Sequence, residues 1–233
     1  MIMTRDELLQ KNIYLIDLDG TVIDSGKRHA DVMSGILDSG NPEYADGKPR
    51  TDFNADEYLA YKSDGHSGKE YLKEIMGLTP SSADDIQRAW TEQIEFSAYL
   101  NKDRLYEDTI FFLNNIYESA GVVFLTARRN VDGLKGELRR LCLDAYADYT
   151  IVADPFDAVA QKEKAYIALK KMYPDASFTI VGDTENEYEM ALKNKIECRL
   201  LNRGFRSRKF WNDRKVRSYD DLIAVYKSLK IKR

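Results

Sequence analysis

About a hundred residues separate the first apolar, β-rich run of this chain (residues 13–16) from the second (122–125), a gap far longer than any that follows it. The later runs, at 150–152, 178–181 and 198–201, come at helix-length intervals, with helical patterns at 131–143, 162–172 and 188–195 between them. Strands alternating with helices of this length build βαβ units, so the expected class is α/β with a mostly parallel sheet. A structureless loop of a hundred residues does not fit a compact domain. The gap instead carries helical patterns of its own at 29–37, 55–62, 69–76, 83–99 and 108–119. The last of these leads back into the second strand, and the others make an inserted α-helical domain. The expected organisation is a core from 1–23 and 104–233 and a helical insertion over 24–103. Asp24-Ser25-Gly26 and Asn101-Lys102-Asp103 are the candidate linkers.

Composition narrows the class further. At 233 residues, with 43% hydrophobic and 32% charged, the chain is long enough for one core plus a smaller inserted domain and is not disordered. A net charge of −4 makes no case for a nucleic-acid partner. No apolar run approaches the roughly 20 residues of a membrane helix, and the start lacks a signal peptide's apolar core. The expectation is a cytoplasmic protein. Cys142 and Cys198 are too few and too far apart for a zinc site or a disulfide framework, and both are expected to be small buried hydrophobes.

The chemistry concentrates at the ends of the apolar runs. Tyr14-Leu15-Ile16-Asp17-Leu18-Asp19-Gly20-Thr21 opens a strand onto two carboxylates two residues apart, which therefore share one side of it. Such a pair suits a divalent cation and a phosphoryl group. Alone, Asp-Gly is also an ordinary turn signal. Val122-Val123-Phe124-Leu125 ends in Thr126-Ala127-Arg128, a hydroxyl and backbone amides suited to phosphate oxygens, or simply a strand cap with Arg128 on the surface. Gln161-Lys162-Glu163-Lys164 offers an ammonium to offset phosphate charge. Two lysines in a charged helix are also a solvated face. Between Lys162 and Lys164 the pattern favours Lys164, because Ile167 and Ala168 would be its buried neighbours one turn on. Phe178-Thr179-Ile180-Val181-Gly182-Asp183 ends another strand in Gly-Asp, with Glu185 and Glu187 after it. In parallel sheets ligands bind outside the carboxyl ends of the strands, so Asp17, Thr126 and Asp183 are placed to share one site.

The order D-x-D-G-T, hydrophobic-Thr, Lys, G-D-x-x-x-acid resembles the haloacid dehalogenase superfamily of phosphohydrolases over residues 10–23 and 105–201. The resemblance implies a Rossmann-like core with a helical cap inserted after the first motif, and a Mg2+-dependent phosphatase acting on a small phosphomonoester. Asp17 would be the nucleophile, forming an aspartyl-phosphate, and Asp19 the acid and base, with a pKa held near operating pH. Gly20, Thr126, Ala127 and Lys164 would bind phosphate. Asp17, Asp183 and the carbonyl of Asp19 would hold the metal, with Glu187 beside or behind them. Two features depart from the pattern: Glu187 stands where Asp is commoner, and Thr126-Ala127-Arg128 is unlike the usual helical-cap ending.

Asp19 argues against dehalogenation, since halide leaves without a proton. The close alternative is a phosphomutase, because Asp24-Ser25 followed by His29 resembles the cap hinge of the β-phosphoglucomutase-like branch. A non-hydrolytic phospho-switch or binding protein on the same fold is the alternative of another class. Candidate substrate contacts from the cap are His29, Lys62 and Lys69, with Arg128 from the core. The basic stretch at 199–217 is expected to be a solvated loop, and 219–229 a closing amphipathic helix.

Overall fold

The computed structural model describes residues 3–47 and 52–229. Its centre is a sheet of β1 (Asn12–Ile16), β4 (Gly121–Ala127), β5 (Tyr149–Ala153), β6 (Ser177–Gly182), β7 (Glu197–Leu201) and β8 (Ser218–Tyr219). Their order is β5-β4-β1-β6-β7-β8, and every neighbouring pair is parallel. Each expected strand is present, with β8 an addition at the edge.

Alternation along the strands builds two core layers at once. Ile13, Leu15, Val123 and Leu125 join Leu169, Ile180 and Met190 on one face. Ile16, Val122, Phe124 and Val181 join Phe112, Leu113, Ile116, Leu134 and Val225 on the other. A strand covered on both faces has no polar side, which is why these runs read as continuously apolar rather than alternating. The covering helices are α7 (Thr109–Tyr117), α8 (Val131–Arg140) and α12 (Leu222–Ser228) on the second face, and α9 (Ala158–Met172) and α10 (Glu185–Asn194) on the first. The short N-terminal α1 (Arg5–Leu9) is capped by a reciprocal Thr4–Glu7 box and buries Leu8 and Leu9.

Between β1 and α7 lies a helical unit with a core of its own. It contains α2 (Gly26–Ser39), α3 (Ala55–Ser63), α4 (Gly68–Glu74), α5 (Pro80–Gln93) and α6 (Ser97–Leu100). Val32, Met33, Tyr58, Tyr71, Leu72 and Ala83 are buried together there. The chain enters and leaves through β2 (Ile23–Asp24) and β3 (Arg104–Leu105), which pair antiparallel, Ile23 with Leu105 and Asp24 with Arg104. The two crossings are thus one hydrogen-bonded ribbon, not two independent linkers.

Four local expectations are corrected. The single helix expected over 83–99 is two, α5 and α6, and α5 starts at Pro80 behind the Thr79 cap. Cys142 is exposed rather than buried, because α8 has ended and the chain turns there at φ 56°. Cys198 is only half-buried. The basic stretch is not a solvated loop: it holds α11 (Arg208–Asp213), whose Phe210 and Trp211 are buried. Among the described residues no helix is long and apolar enough to cross a membrane.

Candidate active site

The carboxyl ends of β1, β4 and β6 meet beside the N-terminus of α10. Asp17 follows the last residue of β1, Thr126 is the penultimate residue of β4, and Asp183 follows Gly182 of β6. Asp17, Asp183 and Glu187 are buried, and one oxygen from each lies within 4.8 Å of the others. Lys162 is buried among them, donating to Asp17 Oδ1 at 3.0 Å and to Glu187 Oε1 at 2.5 Å. Three carboxylates therefore face a single ammonium. Burial raises the pKa of Asp17 to about 7, with the Lys162 ammonium opposing and Glu187 adding to the rise. Burial and the nearby Asp17 push Asp183 well above the usual carboxylate range. Burial acts the same way on Glu187, but its contact with Lys162 outweighs it and holds the pKa low. Glu187 Oε2 meanwhile accepts from the Thr184 hydroxyl at 2.7 Å, closing the first turn of α10.

The residues fit a divalent cation on this observation: a buried pocket of carboxyl oxygens in which acids outnumber the single protein cation. Asp183 is braced for such a role. Its Oδ2 accepts the Phe205 amide at 2.8 Å and its Oδ1 the Thr21 hydroxyl at 3.3 Å. Gly20 and Gly204, both at positive φ, press against this carboxylate, and a Cβ on either would fall on it.

Asp19 lives in a different field. Arg128 grips it through two bonds, Nε to Oδ2 at 2.6 Å and Nη2 to Oδ1 at 2.9 Å, and Arg28 Nη2 pairs with the same Oδ1. Both guanidiniums are buried and reach further acids: Arg28 Nε lies 2.9 Å from Asp103 Oδ2, and Arg128 Nη2 lies 3.0 Å from Glu137 Oε2. Burial alone would raise the pKa of Asp19, but Arg128 and then Arg28 outweigh it and hold the group low. The expectation of a pKa near operating pH is thereby overturned for the free protein.

Lys162, not the expected Lys164, reaches the site. The phase of α9 is set by Ala158, Lys162, Ala165 and Leu169, which recur with helical spacing on its inward face. Lys164 is exposed, as are its supposed anchors Ile167 and Ala168. Thr126 and Ala127 line the cleft above Asp17, while Gly20 lies against the Asp183 carboxylate. Arg128 lines the same cleft, buried rather than on the surface.

Among the cap candidates, His29 lines the cleft and its Nδ1 lies 3.0 Å from Lys62 Nζ. Lys62 itself is behind His29, its Nζ 5.0 to 5.3 Å from the ring centres of Phe205, Trp90 and Tyr58. Burial and the charges of Arg206 and Arg28 push its pKa down to about 7. Lys69 is not at the site: its side chain is exposed and pairs with Asp84 on the surface.

Sequence reading missed Arg28, Glu95, Asp103, Glu137 and the loop at 203–207. Most of the basic stretch is engaged by protein partners. Arg203 holds both Asp108 oxygens at 2.9 Å, Arg206 pairs with Glu185 at 2.6 Å, and Ser207 N–H donates to the Ser63 carbonyl of the helical unit at 2.8 Å. Gly204 beside Phe205 was the available signal, a turn residue soon after an apolar strand. Asp103 and Glu137 carried none, since each stands in a polar stretch of sequence.

No protein-family model matches this sequence, and no curated protein does. Solved structures do resemble it in fold. One is a haloacid dehalogenase-like family hydrolase from Streptococcus pneumoniae, at TM-score 0.67 and 13% identity, covering 94% of this chain and 98% of its own. A candidate phosphatase from Clostridium difficile aligns at TM-score 0.71 and 15% identity, over 93% and 97%. A candidate phosphoglycolate phosphatase from Lactobacillus plantarum aligns at 0.62 and 16%, over 93% and 98%.

Proposed function

On a haloacid dehalogenase-like fold, with nucleophile, ammonium and acids gathered at the strand ends, we propose that this chain is a metal-dependent phosphomonoesterase. The carrying observation is Asp17: a buried carboxylate at the floor of a cleft, one oxygen held by Lys162 and a second acid beside it. Residues 24–103 act as the cap and 1–23 with 104–233 as the core. Asp17 attacks phosphorus, the bond from phosphorus to the leaving oxygen breaks, and Asp19 supplies the proton that oxygen needs. Water then attacks the aspartyl-phosphate, giving its proton to Asp19, and phosphate leaves as Asp17 is regenerated.

Asp19 starts as a carboxylate, which suits the second half. For the first half its pKa must rise. An incoming phosphate dianion competes for Arg128, and each guanidinium drawn from Asp19 moves its pKa upward. Thr126, the Ala127 backbone, the Gly20 backbone and Lys162 receive the phosphoryl oxygens and hold them in line with Asp17. Asp17, Asp183 and the Asp19 carbonyl would hold the cation, with Glu187 behind them orienting Lys162. Magnesium suits that hard oxygen set, and when bound it would offset the charge building on the phosphoryl group.

The test is phosphate release from a panel of sugar, nucleotide, aryl and small-acid phosphates, with and without Mg2+. Asp17→Asn is expected to lower turnover on the order of 10⁴-fold or more. Metal-independent release, or release retained by Asp17→Asn, would refute the mechanism. Phosphate transfer to a second substrate hydroxyl in place of water would identify a mutase.

A further inference from the structure

The cleft that opens above Asp17 encloses about 300 Å³. Its outer half is walled on one side by His29, Trp90, Ile94 and Phe205, and carries Phe156 and Arg129 on the other. His29 packs tilted against Phe205, 4.4 Å between ring centres, and edge-to-face against Trp90 at 5.1 Å, so the three rings form one aromatic cluster. Phe156 projects from the turn between β5 and α9 and is 79% exposed, the most exposed large apolar side chain described. The Arg129 guanidinium lies 5.9 Å from its ring centre.

Several polar groups in this part of the cleft are already engaged by the protein. Both oxygens of Glu95 are taken by the amides of Arg129 and Asn130, at 2.5 to 3.1 Å. The Thr91 hydroxyl donates to the Gln87 carbonyl at 2.8 Å, and the Trp90 indole to the His29 carbonyl at 3.2 Å. His29 Nδ1 is paired with Lys62 Nζ, which leaves Nε2 as the ring nitrogen without a protein partner among the described residues. Arg128 Nη1 is buried without a partner and, with the Arg129 guanidinium, offers donors to a ligand. A polyol's hydroxyls would lie against the aromatic and aliphatic side chains of this part of the cleft, where unpaired burial is costly. A flat ring avoids that cost and gains contact with the aromatic side chains.

We propose that the leaving group of this phosphatase carries an aromatic ring, seated against Phe156 and the His29–Trp90–Phe205 cluster. This specificity rests on the reading of the site as a phosphomonoesterase. Sugar phosphates and small-acid phosphates such as 2-phosphoglycolate are the competing classes.

The test compares benzyl phosphate, cyclohexylmethyl phosphate, glucose 6-phosphate and 2-phosphoglycolate, all esters of primary alcohols. Affinities of benzylphosphonate and cyclohexylmethylphosphonate are measured separately by calorimetry with Mg2+ present. Benzyl phosphate is expected to lead in kcat/KM, about fivefold over its saturated analogue, and the phosphonates to show the same order in affinity. Phe156→Ala should bring both benzyl-over-cyclohexylmethyl ratios close to one, and Phe156→Tyr should keep them. Phe156 is exposed enough that its truncation threatens no core. Equal rates for the two rings, or a preference for glucose 6-phosphate or 2-phosphoglycolate, would overturn the specificity while leaving the phosphatase standing. Absence of turnover on every ester, with the phosphonate preference intact, would sink the phosphatase reading and leave the ring site standing.

Discussion

Two buried charge clusters stand side by side in this molecule, and they are balanced differently. Around Asp17 three carboxylates share the single ammonium of Lys162, a surplus of two negative charges when all are ionised. Around Asp19 the acids are also three, with Asp103 and Glu137, but they face two buried guanidiniums, Arg28 and Arg128, with the partly exposed Arg140 3.9 Å from Glu137 at the rim. Burial raises Asp103 to about 9, against the pull of Arg28, so at neutral pH it carries a proton. The buried centre of the second cluster is then neutral: two carboxylates, two guanidiniums and one carboxylic acid, with Arg140 outside it. A buried cluster that closes its own charge holds structure together. One whose three carboxyl groups share one ammonium, with burial raising the pKa of Asp17 and Asp183, is arranged to receive a cation that favours their ionised forms. Residues two apart in sequence thus enter opposite fields.

The largest effect should come from opening the closed cluster. Arg128→Met would leave Asp19 and Glu137 buried without their main partner, a change that costs about 3–5 kcal/mol when a buried pair is broken from one side. Lys162→Met also removes a buried cation, but from the cluster that can take one from solution. Thermal unfolding with and without Mg2+ separates the two. The Lys162→Met deficit should shrink in Mg2+, since a ligand that binds only the folded state stabilises it. The Arg128→Met deficit should persist. Equal response of both variants would break the comparison.

Why one cluster was legible and the other was not follows from how each is positioned. Asp17, Thr126 and Asp183 sit where apolar runs stop, and a run's end is visible in sequence. Their convergence needs only the rule that parallel strands present one common edge. Lys162 was misplaced for Lys164 because the rotational phase of α9 is fixed by small residues, Ala158 and Ala165, rather than by the bulkier Ile167. The closed cluster draws Arg28 from the helical unit, Asp103 from its exit and Glu137 from α8. Each stands among polar neighbours, and only the tertiary fold makes them partners. The ribbon of β2 and β3 was equally hidden, two residues on each strand giving no period to detect.

A smaller effect sharpens the claim of closure. Because Asp103 has a folded pKa of about 9, well above its ordinary value, the folded state binds one proton more than the unfolded chain between about pH 4 and 9. Stability must then decline as pH rises across that window, with this group's contribution fully present only below it. Asp103→Asn mimics the protonated acid and removes the titration. Urea unfolding from pH 5 to 9 should show a flatter profile for the variant, with little difference near pH 5. An unchanged slope would mean that Asp103 is ionised and the cluster is not neutral.

The smallest effects mark where the clusters end. Lys164 is exposed on the outer face of α9, two residues from the lysine that holds Asp17, and Lys69 pairs with Asp84 on the surface of the helical unit. Surface pairs of this kind contribute about 0–1 kcal/mol. Lys164→Ala and Lys69→Ala should therefore leave KM and kcat within about twofold and stability within about 1 kcal/mol. The contrast with Lys162 tests helical phase directly, since the two lysines share composition and neighbourhood and differ only in which way α9 turns them. If Lys164→Ala lowers kcat as Lys162→Met does, α9 is rotated from the orientation described. The charge count around Asp17 would then be wrong with it.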